Sequence, residues 1–281
     1  MEFSEFLWYL LKRHHLETSA YERGGLLRRV ERQMSQARVA TFPDYRDHLE
    51  AHPEAVQMLR RMISMDATSW LRDPPAWHRL RDTIFPALAN KREATEPIRM
   101  WSAGCSSGKE PFSLAIAWAE QFGLDDLTRR VTIYATDVLD EALAHARSAL
   151  YLPRDMTGLD ARLVDRYFIP GADGYTAIQD VKRAVVFGSH SLVSDPPLAH
   201  MDLIACRHVL RYLSPEARRR ALEQFHFALN PTGVLFLATE SLLHERDLFE
   251  PIDARFAFFR KVAATPRAAV GPTFAALAHR A

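Results

Sequence analysis

The change of rhythm at Pro97 constrains this chain more than any other feature. Before it, "SEFLWYLLKRHH", "AYERGGLLRRVERQM", "FPDYRDHLEA" and "EAVQMLRRMIS" carry apolar residues at helical spacing, with no strand signal. After it, apolar runs ("IRMWSA", "VTIYATD", "AVVFGS", "MDLIACR", "VLFLATE") alternate with helical patterns ("PFSLAIAWAEQFG", "LDEALAHARSALY", "SPEARRRALEQFHFAL"). Such alternation predicts an α/β unit, a mostly parallel sheet with helices on both faces, behind an all-helical N-terminal domain. The rhythm breaks between Leu152 and Arg183, where "RYFIPGADGYTAI" reads as a hairpin inserted as a small antiparallel lobe. A turn at "NPTG" and an aromatic strand "FAFFRK" close the pattern.

The first strand meets its helix in "WSAGCSSGKEPFS". A phosphate-binding P-loop needs four residues between its first glycine and its Gly-Lys pair, then a hydroxyl for magnesium. Gly104 and Gly108 enclose three, and Lys109 is followed by Glu110, which would repel a triphosphate. The dinucleotide fingerprint is also broken, because its second glycine is missing. What remains is a glycine turn at the carboxyl end of a strand, where open α/β sheets bind ligands; a plain strand-to-helix turn is the alternative. Asp137 closes the second strand thirty-three positions later. An acid there is placed to accept hydrogen bonds from both hydroxyls of a ribose, and it is equally placed to cap the helix of "VLDEALAHA". The pair points to an adenosine-containing ligand without pyrophosphate. S-adenosylmethionine (SAM) fits, since its sulfonium tolerates Glu110 where a phosphate would not.

Composition narrows the partners. With 281 residues and a net charge of +1, the chain has no global field that marks a nucleic-acid binder. Two cysteines, Cys105 and Cys206, supply neither a disulfide framework nor a thiolate metal site, so a reducing, cytoplasmic setting is expected. "MEFSEFLWYLLKRHH" has acids before its apolar run and bases after it, the reverse of a secretory signal, and "FLWYLL" is too short to span a bilayer. The stretch from Ala263 reads as a weakly ordered tail.

Four segments, in order, resemble the CheR-type chemotaxis receptor methyltransferases. "WSAGCSSGKEPFSLAI" is similar to the family's W-S-A-G-C-S-T-G-E-E-P-Y-S-L-A, and "MDLIACRHVLRYL" to F-D-L-I-F-C-R-N-V-L-I-Y-F. "TSWLRDP" resembles T-x-F-F-R-D-P, and "RRVERQM" resembles an arginine-rich helix of the family's N-terminal domain. The resemblance implies a monomer, without metal, that moves a methyl group from SAM to glutamate side chains on the methylation helices of a chemoreceptor. It implies a helical recognition domain (1–75), a linker helix (76–95), a Rossmann-like methyltransferase domain (96–262) with a β-subdomain (about 152–183), and a tail (263–281). Carried over position by position, the family's cofactor contacts and their neighbours fall on Asp66, Thr68, Arg72, Gly104, Glu110, Asp137, Ser191, Leu192, His208 and Val209. Arg72 and Tyr212 match its active-site arginine and tyrosine.

The chain departs from the family at several of these places. His208 stands where the family has asparagine, and Ser191 replaces another asparagine. Two contacts weakened by about 1 kcal/mol each lower cofactor affinity roughly tenfold to thirtyfold. Lys109 replaces the first of two glutamates and reads as a solvated first-turn residue. Trp70, Leu71 and Phe112 keep apolar packing. A binding-only module without turnover is the competing expectation, against which Arg72, Glu110, Asp137 and Tyr212 are all retained. From Lys12 to Arg38, seven basic residues face three acids, a local +4. Arg23, Arg28, Arg29 and Arg32 are the expected docking residues for a glutamate-rich helix; a merely solvated face is the alternative. The loop from Gly171 to Gly174 is short, so no binding of a C-terminal receptor pentapeptide is expected.

Overall fold

The computed structural model describes residues 1–14, 16, 18–64, 68–90, 93, 95–238 and 245–262. Asp66 and the tail from residue 263 lie outside the described residues.

Four helices open the chain: α1 (Phe3–His14), α2 (Arg23–Gln36), α3 (Phe42–Ala51) and α4 (Pro53–Ser64). Local chemistry starts two of them. Glu22 accepts from the backbone N–H groups of Gly24 and Gly25 at the head of α2, and Thr41 accepts from Asp44 at the head of α3. Their apolar stripes meet in one cluster that includes Phe6, Leu10, Leu26, Val30, Tyr45, Leu49, Leu59 and Ile63. Residues 74–89 then run as one helical rod: α5 (Pro74–Arg79), a π turn (Leu80–Ile84) and α6 (Phe85–Ala89). Trp77, Leu80, Ile84, Phe85 and Leu88 bury its inner side.

The α/β unit follows with β1 (Ile98–Ala103), α7 (Lys109–Phe122), α8 (Leu124–Arg130), β2 (Val131–Asp137) and α9 (Asp140–Ser148). An antiparallel lobe is built from β3 (Leu150–Tyr151), α10 (Ala161–Tyr167), β4 (Phe168–Gly171), β5 (Gly174–Ala177) and α11 (Gln179–Arg183). The chain returns through β6 (Val185–Ser189), β7 (Met201–Cys206), α12 (Pro215–Ala228), β8 (Leu229–Leu237), β9 (Phe249–Asp253) and β10 (Phe258–Lys261). The large sheet has the order β6-β2-β1-β7-β8-β10-β9, parallel from β6 to β8 with two antiparallel strands at the edge. Alternate residues feed opposite faces, as the pleat requires. Met100, Ile133, Leu203 and Phe236 pack with α7 and the 74–89 rod, whereas Trp101, Ile204 and Leu235 pack with α12. At about 1.5–3 kcal/mol for each fully buried side chain, these two layers dominate the stability of the unit.

The structure refines the sequence reading in three places. The inserted lobe has three strands, because Leu150 and Tyr151 pair with β5. Gly174 permits that pairing: a Cβ there would stand 2.3 Å from the carbonyl oxygen of Tyr151. "NPTG" is not a separate turn but an irregular stretch of β8, where a Cβ on Gly233 would meet the carbonyl oxygen of Met201 at 2.9 Å. β9 carries a proline and exposed residues, so nothing in "FEPID" marks it as a strand; its partner β10 does. Among the described residues, no helix is long and apolar enough to cross a membrane.

Candidate functional site

Strand order reverses between β1 and β7, and the carboxyl ends of these strands open into a cavity of about 650 Å³. That volume falls in the range of about 300–1,000 Å³ typical of cofactor sites, and the position is the usual one for ligands of open α/β sheets. Thr68, Arg72, Gly104, Glu110, Asp137 and Tyr212 all line it. Ser191, Leu192, His208 and Val209 line it as well. The helical domain supplies the remaining wall through Leu16, Tyr21, Arg60 and Ile63.

Each side is held by identifiable contacts. Gly104 has φ +78°, and a Cβ on it would meet Val209 Cγ2 at 2.6 Å, so only glycine lets the loop pass the segment that follows β7. The N–H groups of Gly104 and Cys105 both donate to the carbonyl of Thr136 at 2.8 Å, which pins the turn to β2. Asp137 completes that attachment. One carboxylate oxygen accepts from the Ser106 N–H at 2.8 Å and the other from the Leu139 N–H at 3.1 Å. α9 starts at Asp140 with Leu139 at its N-cap, so Asp137 stands before the helix, and its bond to the Leu139 N–H closes the loop that leads into it. Burial raises the Asp137 carboxyl above its usual range, against the lowering by these N–H donors.

Glu110 lies on the first turn of α7 and accepts from Ser102 Oγ at 2.7 Å. Burial pushes its carboxyl up to about 7, although Ser102 and the neighbouring Arg207 pull the other way. Cys105, which lines the cavity, and Cys206, in the core behind it, are buried thiols whose pKa is raised by desolvation.

Residues 68–73, of which Thr68, Ser69 and Arg72 line the cavity, run under several restraints. Thr68 Oγ1 and Ser107 Oγ are 2.6 Å apart, the Leu71 N–H donates to Ser113 Oγ at 3.3 Å, and the Trp70 indole donates to the Asp155 carbonyl at 2.8 Å. Trp70 packs edge-on to Tyr151 and Phe168, so the small lobe anchors this segment. Arg72 lies between two left-handed residues, Leu71 (φ 42°) and Asp73 (φ 61°), an arrangement that surrounding contacts must enforce.

Arg207 is the main enforcer, and it was not among the sequence candidates. Its side chain is 3% exposed, donates to the Arg72 carbonyl and pairs with Asp73. The guanidinium stacks near Trp77 and Phe236, at 5.8 and 4.8 Å. Its signal was the arginine of "ACRHV", which periodicity cannot distinguish from a strand end.

Lys109 is a second correction. It is buried rather than solvated, with its ammonium 3.5 Å from both the Thr68 carbonyl and an Asp155 oxygen. The Ser191 hydroxyl accepts from the N–H groups of Val193 and Ser194 at 3.3 Å, closing its own turn. His208 adopts φ 64°, a conformation in which asparagine and histidine are both enriched, and its Nε2 lies 3.8 Å from Asp73.

The arginines of α2 divide. Arg23, Arg28 and Arg32 are exposed, whereas Arg29 turns inward, donating to the carbonyls of Met62 (3.0 Å) and Ile63. Its guanidinium lies 4.1 Å from the Tyr212 ring centroid, so Arg29 is not available for docking. Backbone bonds clasp the two domains beside it. The Glu22 N–H donates to the Tyr212 carbonyl at 2.7 Å, the Ser214 N–H donates to the Ala20 carbonyl at 2.8 Å, and Tyr21 and Leu213 form an antiparallel bridge.

The donor set fits SAM. A buried carboxylate beside the glycine turn suits two ribose hydroxyls, and a second carboxylate suits an ammonium or sulfonium and would be wrong for phosphate.

Comparison with known proteins agrees. Residues 66–258 match the CheR methyltransferase SAM binding domain, and residues 1–64 match the CheR methyltransferase all-alpha domain. A chemotaxis protein methyltransferase of Listeria innocua is 30% identical over 233 residues, which cover 83% of this chain and 87% of that protein. Its counterpart from Vibrio parahaemolyticus is 37% identical over 203 residues, covering 68% and 72%. An uncharacterized 104.1 kDa protein of Rhodobacter capsulatus is 31% identical over 236 residues, and there the match spans 84% of this chain and 25% of the longer protein. With its glycine turn, Asp137 and both matched domains in place, the chain belongs to the CheR family of SAM-dependent methyltransferases.

Proposed function

We propose that this methyltransferase esterifies glutamate side chains on the methylation helices of a chemoreceptor. The observation that carries the reading is the lining of one cavity by two carboxylates, Glu110 and Asp137, together with Arg72 and Tyr212. Bound SAM supplies a methyl group on a positive sulfur. A glutamate carboxylate is ionised at neutral pH, so its attack needs no general base. The chain's task is to align that carboxylate and to exclude water from both charges. Arg72 orients the acceptor carboxylate through its planar fork, Tyr212 donates a hydrogen bond near the transferring methyl, and Asp137 holds the ribose. Gly104 and Val209 form the close-packed wall, with Thr68, Ser191, Leu192 and His208 completing the cofactor cradle around Glu110. The protein works as a cytoplasmic monomer.

Docking falls to Arg23, Arg28 and Arg32 on the open side of α2, whose charge suits a glutamate-rich helix. The small lobe ends in a tight turn between Gly171 and Gly174, which supports action without a receptor pentapeptide.

Transfer of labelled methyl from SAM to a soluble, glutamate-rich chemoreceptor fragment tests the function. The label is expected in base-labile esters, and an unlabelled fragment beside intact cofactor binding would sink the substrate assignment in favour of a binding-only module. In the same assay, Arg28→Glu with Arg32→Glu is expected to raise KM for the fragment at least fivefold, with affinity for S-adenosylhomocysteine (SAH) unchanged.

Glu110 gives the site a pH signature. Its raised pKa means that the cation of SAH binds best once the carboxyl ionises, so affinity falls as pH drops through about 7, by up to roughly tenfold per unit. In the ligand-free protein the sign is opposite. A carboxyl that holds its proton more tightly when folded makes the fold lose stability as pH rises from 4.5 to about 7. Titrations of SAH at pH 6 and 8 read the first effect, and a pH-independent affinity would remove Glu110 from the cation site.

A further inference from the structure

We infer that Arg29 is a positioning residue for Tyr212, through which the helical domain sets the geometry of the methyl-transfer site. The inference rests on the role proposed above for Tyr212.

Arg29 uses both aspects of a guanidinium. Its in-plane N–H groups donate to Met62 O (3.0 Å) and Ile63 O, carbonyls in the last turn of α4, where the helix dipole favours a cation. Its face lies against Tyr212, with 4.1 Å between the guanidinium carbon and the ring centroid. Only a planar cation can do both at once; a lysine ammonium in the same place keeps the charge and loses the stacked plane.

The ring is held at other points too. Arg211 lies 4.8 Å from the ring centroid and donates to the hydroxyl, so two guanidinium groups bear on one phenol. The Tyr212 carbonyl accepts from the N–H of Glu22, the residue that caps α2, so the head of the helix fixes the tyrosine backbone while Arg29, further along, fixes its ring. The Tyr212 N–H is used within its own turn, donating to Val209.

Arg29 is not itself a lining residue, but Ile63 and Tyr212 are, and Arg29 touches both. It therefore acts on the cavity through other residues. Its exposed neighbours Arg28 and Arg32 lie on the open side of the same helix, which separates steering of the acceptor from shaping of the site.

The test compares Arg29→Met, Arg29→Lys and Tyr212→Phe in the full chain. It reads SAH affinity by calorimetry, amide exchange across residues 209–213, and methyl transfer to the soluble receptor fragment. Arg29→Met is expected to lower kcat tenfold or more and to speed exchange across Leu210–Leu213 at least tenfold. KM for the fragment and the Kd for SAH stay within twofold. Arg29→Lys recovers part of kcat, less than half. Wild-type exchange together with wild-type kcat in Arg29→Met overturns the inference. If Arg29→Met does not fold, the lysine variant decides: kcat down threefold or more at constant SAH affinity supports the assignment, and unchanged kcat refutes it. Quickened exchange in Arg29→Met with normal kcat in Tyr212→Phe upholds the positioning and sinks the role given to Tyr212. If the wild-type protein does not methylate the fragment, the proposed substrate fails, and the exchange measurement alone decides for or against Arg29.

Discussion

Alanine at position 137 is expected to cut SAH affinity at least a hundredfold from a micromolar starting value. Two hydroxyl donors on one carboxylate are worth about 1.5–3 kcal/mol each, so their loss covers two to four decades in Kd. The substitution also removes the acceptor for the N–H groups of Ser106 and Leu139, which loosens the glycine turn that forms the cavity floor. Asp137→Asn separates these contributions, because the amide oxygen still accepts one N–H while the charge is gone. It should fall between wild type and Asp137→Ala. Calorimetry that finds micromolar SAH binding in Asp137→Ala would show that the ribose is held elsewhere and would undo the site as described.

Arg207→Met carries the second large effect. Methionine fills much of the space between Trp77 and Phe236, so the loss is chiefly of hydrogen bonds and charge. The Arg72 carbonyl keeps the Trp77 indole at 2.8 Å but loses its charged donor, and the left-handed residues at 71 and 73 lose their principal restraint. A cost of about 2–3 kcal/mol follows, read as a fall of about 5–10 °C in Tm. Glu110 also loses the cation that favours its ionised form, so its pKa climbs further. SAH affinity at neutral pH should drop about tenfold and recover in part at pH 8.5. Loss of Tm without this pH-dependent recovery would mean that Arg207 braces the loop and has no electrical part in the site.

The sheet and its ligand edge were legible because they are written locally. "IRMWSA", "VTIYATD" and "MDLIACR" are apolar runs long enough for buried strands, and each ends at or just before a residue that lines the cavity: Gly104, Asp137 and Arg207. The residues that escaped are those whose partners are remote in sequence. Arg207 meets Arg72 and Asp73 across more than 130 positions. Lys109 reads as a solvated first-turn lysine until the fold brings Asp155 to it. Arg29 sits in a run of arginines, and nothing in "GLLRRVERQM" shows that the second of the adjacent pair points inward. Helical spacing gives a face, and only the docked partner shows which arginines belong to it.

The clasp between the domains also bears on how such proteins diverge. Its hydrogen bonds join backbone atoms of Ala20 and Glu22 to those of Tyr212 and Ser214, and its bridge pairs the backbones of Tyr21 and Leu213. A joint made of main-chain groups is indifferent to most side-chain replacements on either side of it. Sequence drift can therefore rewrite the seam without opening it. Most residues along it can change while this chain's two domains keep their attachment, which is carried by atoms that every residue shares.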